Sequence, residues 1–294
     1  MQFLIYHTFI SVNMESNVED SKDEWLIPES DISFDYLTKF NRAMMVLHLI
    51  QGGFMFIIGF LPFLEFSADI YTFYQEFDLG PPPTLAPNPE VLFTFTALGA
   101  LVGTFLLLSA LAHFLIAYPL NKMYRRDLKR GINQVRWFEY ALSSSVMIVL
   151  IAIFFGVRGF WALFMIFVLN ALMNMFGLLM EKYNVLTRKL GEKTNWASYY
   201  LGVVAGIVPW IVITAYFINT GVSEGAQVPD FVYWIYIVEA IFFNTFAINM
   251  ILQYKEVWKW KDYLFGERVY QILSLVSKTL LAWLVFGGVF SPTG

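Results

Sequence analysis

Seven apolar stretches, at about 40–64, 92–118, 135–157, 160–182, 197–219, 230–254 and 267–290, occupy most of this chain. Each is long enough to cross the roughly 30 Å hydrocarbon core of a bilayer, which takes about 20 helical residues. In lipid the backbone must satisfy its own polar groups, and a helix does so within one segment. The expected fold is therefore an all-α membrane protein, a seven-transmembrane helix bundle. Composition agrees: 58% of the residues are hydrophobic and only 14% charged, where soluble domains carry about a quarter. Pro62, Pro119 and Pro209 fall in or beside these stretches, which membrane helices tolerate when neighbours re-satisfy the backbone.

Little chain is left outside the bundle, expected over 39–290. Residues 1–38 read as an acidic, mobile tail ending in a short amphipathic entry to the first span. Within it, "MQFLIYHTFISVNM" lacks a basic n-region and a small-residue cleavage site. It reads as a dispensable extension, with Met14 rather than Met1 as the expected start. The one sizeable loop, 65–91, contains "GPPPTLAPNP", too rich in Pro for a helix and suited to turns or a short ribbon. With no Cys there is neither a disulfide framework nor a thiolate metal site. No metal-ligand cluster, nucleophile triad or phosphate-binding Gly loop is visible, so an enzyme is not expected. No basic patch with interleaved aromatics points to nucleic acid.

Charge placement sets an orientation. Of the 19 Lys and Arg residues, all but Arg158 and Lys278 fall before the first span or in the second-to-third, fourth-to-fifth and sixth-to-seventh connections and their edges. The positive-inside rule then places the N-terminus in the cytoplasm and the C-terminus outside. The expected setting is a multi-pass protein of a cell or host plasma membrane.

The seventh stretch, "ILSLVSKTLLAWLVFGGVF", carries Lys278 near its middle. A bare ammonium there costs a few kcal/mol on insertion scales, so something must compensate it or use it. The other ionisable groups within spans are His48, His113, Glu139 and Glu239. Lys278 lies eleven residues past Glu267, about 16 Å along the helix, and its side chain points back toward the helix start. Glu139 lies near the start of a parallel span, so the two can meet in the cytoplasmic half. Polar partners repeat at helical spacing: Glu139, Ser143 and Met147; Ser109 and His113; Asn41, His48 and Gln51; Ser274, Ser277 and Lys278. One reading is a buried pair that locks two helices, with the histidines and serines as packing residues. The other is a reactive amine that forms a Schiff base with an aldehyde, Glu139 serving as counterion. One Lys in the middle of the seventh of seven helices suggests retinal.

Three segments carry a family resemblance: "NRAMMVLHLIQG", "RWFEYALSSSVMIVLIA" and "FNTFAINMILQYKEVWKWKDYLFGERVYQILSLVSKTLLAWLVFGG". Together they resemble the heliorhodopsin family over roughly 39–290, and the inverted orientation of that family agrees with the charge count. The resemblance implies all-trans retinal on Lys278, with Glu139 as counterion, bonded to or flanked by Ser109, Ser143 and Ser277. It places Ser274, Met147 and Phe243 around the chromophore, Phe243 standing where ordinary microbial rhodopsins carry a Trp. His48 and His113, with Asn41 and Gln51, resemble the cytoplasmic-side polar cluster that lodges the Schiff-base proton. Ser274 replaces the Asp of proton pumps, which disfavours pumping. The resemblance further implies a homodimer, with loop 65–91 contributing, and a light signal passed to an unknown cytoplasmic or membrane partner. Glu239 keeps an alternative open, a light-activated proton conductance, which some viral members resemble.

Overall fold

The computed structural model describes residues 26–61, 67–222 and 230–289. In chain order these form α1 (Phe34–Ile58), β1 (Ala68–Asp78), β2 (Thr84–Phe95), α2 (Leu98–Ala117), α3 (Asn121–Lys129), α4 (Gln134–Phe154), α5 (Phe160–Lys189), α6 (Ala197–Val222), α7 (Asp230–Tyr254), a short 3-10 turn (Trp258–Lys261) and α8 (Tyr263–Val289). Seven of the helices, all except the short polar α3, are long and apolar enough to cross a membrane. In α2 and α4, 61% of the most apolar window is buried within the protein, against 22% in α6 and α7. The first two therefore stand at the centre of the bundle, and the others turn most of their surface to lipid.

Helix ends depart from the sequence reading in four places, each with a local cause. The first helix begins at Phe34, because the Ser33 hydroxyl accepts the Tyr36 N–H at 3.1 Å, a standard N-cap. Residues 26–33 are not a loose tail: the Leu26 N–H donates to the Lys129 carbonyl at 2.8 Å, Ile27 is buried, and the Ser30 hydroxyl donates to Asp262 at 2.6 Å. Residues 1–25, including Met1 and Met14, lie outside the described residues. The eighth helix starts at Tyr263 because Asp262 caps it, accepting the Leu264 N–H at 2.8 Å. That sets Glu267 one turn inside the helix, and α5 continues past Glu181 to Lys189.

The fourth departure is the ribbon. Where the second span was expected to begin, 84–95 pairs antiparallel with 68–78, from Ala68 opposite Phe95 to Asp78 opposite Thr84. Pro87 and Pro89 cannot sit in a helix interior. In a two-stranded ribbon, residues two apart turn their nitrogens to the same edge, so both prolines can use the unpaired side. The ribbon is docked at its base: Tyr71 N–H donates to the Arg158 carbonyl at 2.9 Å and the Trp161 indole donates to Thr72 at 3.3 Å. Burial lowers the pKa of Arg158 there, and Asp69 partly offsets this.

Hydrogen bonds from residues 26–33 to α3 and to Asp262, and from Arg188 to the Arg130 carbonyl, gather the connections of one end, the N-terminal face. The ribbon marks the other end. Between them α1 and α2 approach closely at Gly103, where a Cβ would lie 2.6 Å from that of Phe56.

Candidate functional site

Lys278 is buried on α8, with its amine directed at α4 and α2. Nζ lies 2.5 Å from Glu139 Oε1, 2.6 Å from Ser109 Oγ and 3.0 Å from Ser274 Oγ. An ammonium has three protons to donate, and these three acceptors match them. Glu139, with its side chain only 7% exposed, also accepts from Ser109 and Ser143, each at 2.6 Å. Helical spacing builds the arrangement: Ser143 is one turn from Glu139, and Ser274 one turn from Lys278. The Tyr140 ring stands 5.2 Å from Nζ. Such a pair is tolerable inside a bundle because hydrogen bonds from Ser109 and Ser143, and one to Ser274, share its charge. Ser277 is buried beside it but turns its hydroxyl to the Ser274 carbonyl at 3.4 Å; no hydrogen bond joins it to Glu139.

Two chambers meet at this pair. The larger is overwhelmingly apolar and is bounded by Tyr140, Met147, Met173, Gly177, Phe243 and Phe246, with Lys278, Ser274 and Ser277 on its α8 wall. Phe243 thus faces the interior as expected, braced edge-on by Trp210 at 5.3 Å. Gly177 is required by close approach, since a Cβ there would run into the Trp137 ring.

The smaller chamber extends from Glu139 toward the N-terminal face and is lined by Asn41, His113, Arg136, Glu267, Gln271 and Ser274, among others. His113 Nδ1 lies 2.8 Å from Asn41 Oδ1, and the His48 ring stacks on His113 with centroids 5.5 Å apart. Neither nitrogen of the buried His48 has a protein partner. Asn41 and Gln271 both donate to the Tyr124 hydroxyl, at 3.5 and 3.2 Å. Burial, reinforced by Glu267, pushes the Tyr124 phenol well above its usual pKa and keeps it neutral. Gln51 does not join this cluster. Its side chain lies on the exposed seam between α1 and α8, accepting from the Trp283 indole at 3.2 Å.

At the far end of the smaller chamber is a group that the sequence reading missed. Arg136, counted there as a connection cation, is buried in the first turn of α4 and pairs with both Glu181 and Glu267. Asn133 organises all three: its N–H donates to Glu181 at 2.8 Å, its amide to Glu267 at 2.6 Å, and its oxygen accepts the Arg136 N–H at 3.1 Å. The guanidinium carbon lies 4.0 Å from the Tyr270 ring centroid and 4.9 Å from that of Trp137. A signal existed, since Glu267, Gln271, Ser274 and Lys278 form one continuous polar stripe at helical spacing.

Glu239 stands apart. It is fully buried in the half of α7 toward the ribbon, and neither carboxyl oxygen has a hydrogen-bond partner among the described residues. It lines neither chamber.

A protein-family model described as Heliorhodopsin matches residues 37–290. No curated protein matches the chain.

Proposed function

The chain belongs to the heliorhodopsin family of retinal-binding, light-responsive membrane proteins, and on that premise we propose that it is a photosensor that uses Lys278 and Glu139 and does not pump ions. The observation that carries this reading is the buried amine, paired with one carboxylate, in the wall of a large apolar chamber. The chamber suits a polyene aldehyde: its lining is apolar, and its nucleophile is set beside a ready counterion. Bound to Lys278 as a Schiff base, all-trans retinal supplies visible absorption and a light-driven isomerisation.

The residues do the rest. Glu139 holds a proton on Nζ, and Ser109 and Ser143 hold Glu139 in place by charge-assisted hydrogen bonds. Met147, Phe243 and Phe246 exclude water from the larger chamber. Asn41, His48 and His113 form one wall of the polar side. When Nζ moves relative to Glu139, both partners change proton affinity, and the bundle shifts between two packings. We place the N-terminal face in the cytoplasm of a cell or host plasma membrane, following the positive-inside count. The output is contact with a cytoplasmic or membrane partner, from a homodimer joined through the ribbon; the protein acts as a receptor and not as an enzyme.

The test is an absorption spectrum of membranes expressing the protein with added all-trans retinal, beside Lys278→Ala. A visible band in wild type alone supports the reading. No band in folded wild type returns Lys278 to a structural ion pair.

One observation favours a second reading. Glu239 is an unpartnered buried carboxyl on the ribbon side, where a proton crossing to that face would need a foothold. Light-evoked current under voltage clamp that disappears in Glu239→Gln supports a conductance. Absence of current in wild type leaves Glu239 as a neutral, structural carboxyl.

A further inference from the structure

A proton that leaves Lys278 Nζ needs a destination, and we propose that it is Glu267, within the buried Arg136–Glu181–Glu267 cluster. The inference rests on the reading of Lys278 given above and deepens it.

Three features lead there. The smaller chamber has Glu139 and Ser274 at one end and Glu267 with Arg136 at the other, so one polar space joins the amine's surroundings to the cluster. The room it leaves for the centres of water molecules is about 20 Å³, above the ~10–15 Å³ that one bound water needs. Gln271 Oε1 lines that space, buried and without a protein partner, and offers a bridging water an acceptor. Finally, the cluster sets two fully buried carboxylates against one guanidinium. It holds one surplus negative charge, which one added proton removes.

The competing destination is the histidine pair. A proton on His113 would create an imidazolium stacked on His48, whose two nitrogens have no partners. Among the described residues no carboxylate hydrogen-bonds either ring. Glu267, by contrast, faces Arg136, Asn133 and Tyr140 from α4 and its start, Glu181 from α5, Tyr124 from α3, and Gln271 and Tyr263 from its own helix. Both of its oxygens already have donors, Asn133 and Gln271 on Oε1 and Arg136 on Oε2.

The step is balanced. The N–H bond at Nζ breaks and its electron pair stays on nitrogen. The proton passes through a chamber water, and an O–H bond forms on Glu267 while Arg136 remains paired with Glu181. The return in the dark reverses each transfer.

Light-minus-dark infrared spectra of the retinal-loaded protein test this directly. Wild type should gain one carboxylic C=O band as the proton leaves Nζ, and Glu267→Gln should lose that band while keeping its visible dark absorption. The retained visible band separates failure of this proposal from failure of the retinal reading. If Glu267→Gln does not fold, Glu181→Gln substitutes for it: with the surplus charge gone, the band should rise at least about tenfold more slowly, the scale of a lost proton-transfer partner. In the retinal-free protein, acid titration followed by infrared should show one buried carboxylate fewer in Glu267→Gln. The proposal is overturned if the light-induced band persists at wild-type intensity in Glu267→Gln, if it disappears instead in His113→Ala, or if the retinal-free titrations coincide.

Discussion

Replacing Arg136 with Gln removes the one cation that two fully buried carboxylates share. Breaking a buried pair by deleting one partner costs about 3–5 kcal/mol, because the other charge is left uncompensated. Loss of the stacking on Tyr270 and Trp137 adds about 0.5–2 kcal/mol. Protonation of one carboxyl relieves part of the strain, so the expected destabilisation is about 3–4 kcal/mol, within the range for a deleted partner. At about 2–4 °C per kcal/mol for a domain of roughly this size, the retinal-free protein in detergent should melt ~6–16 °C earlier. Intrinsic tryptophan fluorescence during heating reads this without the chromophore. The double variant Arg136→Gln/Glu267→Gln should recover about half of the loss, because Glu181 keeps the Asn133 N–H and the Tyr263 hydroxyl, and pairs in one network couple by ~0.5–3 kcal/mol. A melting point within ~2 °C of wild type for the single variant, on that same scale, refutes the account. So does a double variant that falls by the sum of the two singles.

Glu139→Gln takes away the one carboxylate bonded to Lys278 Nζ; with retinal bound, visible absorption at neutral pH should be largely replaced by near-ultraviolet absorption and return in acid, and an unchanged visible band refutes its role as counterion. Gly177→Val should drive the Trp137 ring into the larger chamber and reduce pigment yield at least about tenfold, worth ~1.4 kcal/mol of binding; full yield at normal expression refutes that assignment of the wall. Phe77, Leu79 and Leu85 leave most of their side chains exposed on the ribbon; on the proposal that wild type dimerises through this ribbon, changing all three to Ser should shift a wild-type dimer to monomer in analytical ultracentrifugation, and a monomeric wild type refutes the proposed dimer. A dimer that persists places the contact elsewhere.

The bundle was legible because its signal is repeated and long: seven apolar runs cannot be hidden by local propensity. The Lys278–Glu139–Ser109–Ser143 constellation was legible for a related reason, since charges in lipid are rare and their partners recur at helical spacing. What escaped reading depended on where helices end. Arg136, Glu181 and Glu267 each stand at the edge of an apolar stretch, and cap chemistry at Asn133 and Asp262 fixes the helix ends that pack them into one buried cluster. Helical spacing also put Gln51 on a stripe with His48, yet a three-residue step was enough to carry it round to the seam where Trp283 waits. The ribbon was expected from its prolines, but its second strand runs into the apolar stretch that was read as helix, because a strand with one free edge accepts the same composition.

The two chambers share a wall at Tyr140 and Ser274, which line both, and Lys278 projects between them. That partition gives the site a direction. On one side is a predominantly apolar space; on the other is a polar space whose far end carries surplus negative charge. Toward the ribbon, the apolar core built around Leu106, Ile151 and Ile235 closes the bundle, and the buried carboxyl of Glu239 has no hydrogen-bonded chain leading to it among the described residues. On the reading proposed above, a proton released at Nζ would find hydrogen-bonding partners toward the N-terminal face. This is the arrangement that the proposed sensor requires. To conduct, the bundle would have to open a wet connection between Lys278 and Glu239, so the light-evoked current and its loss in Glu239→Gln measure whether illumination creates a path that the resting structure lacks.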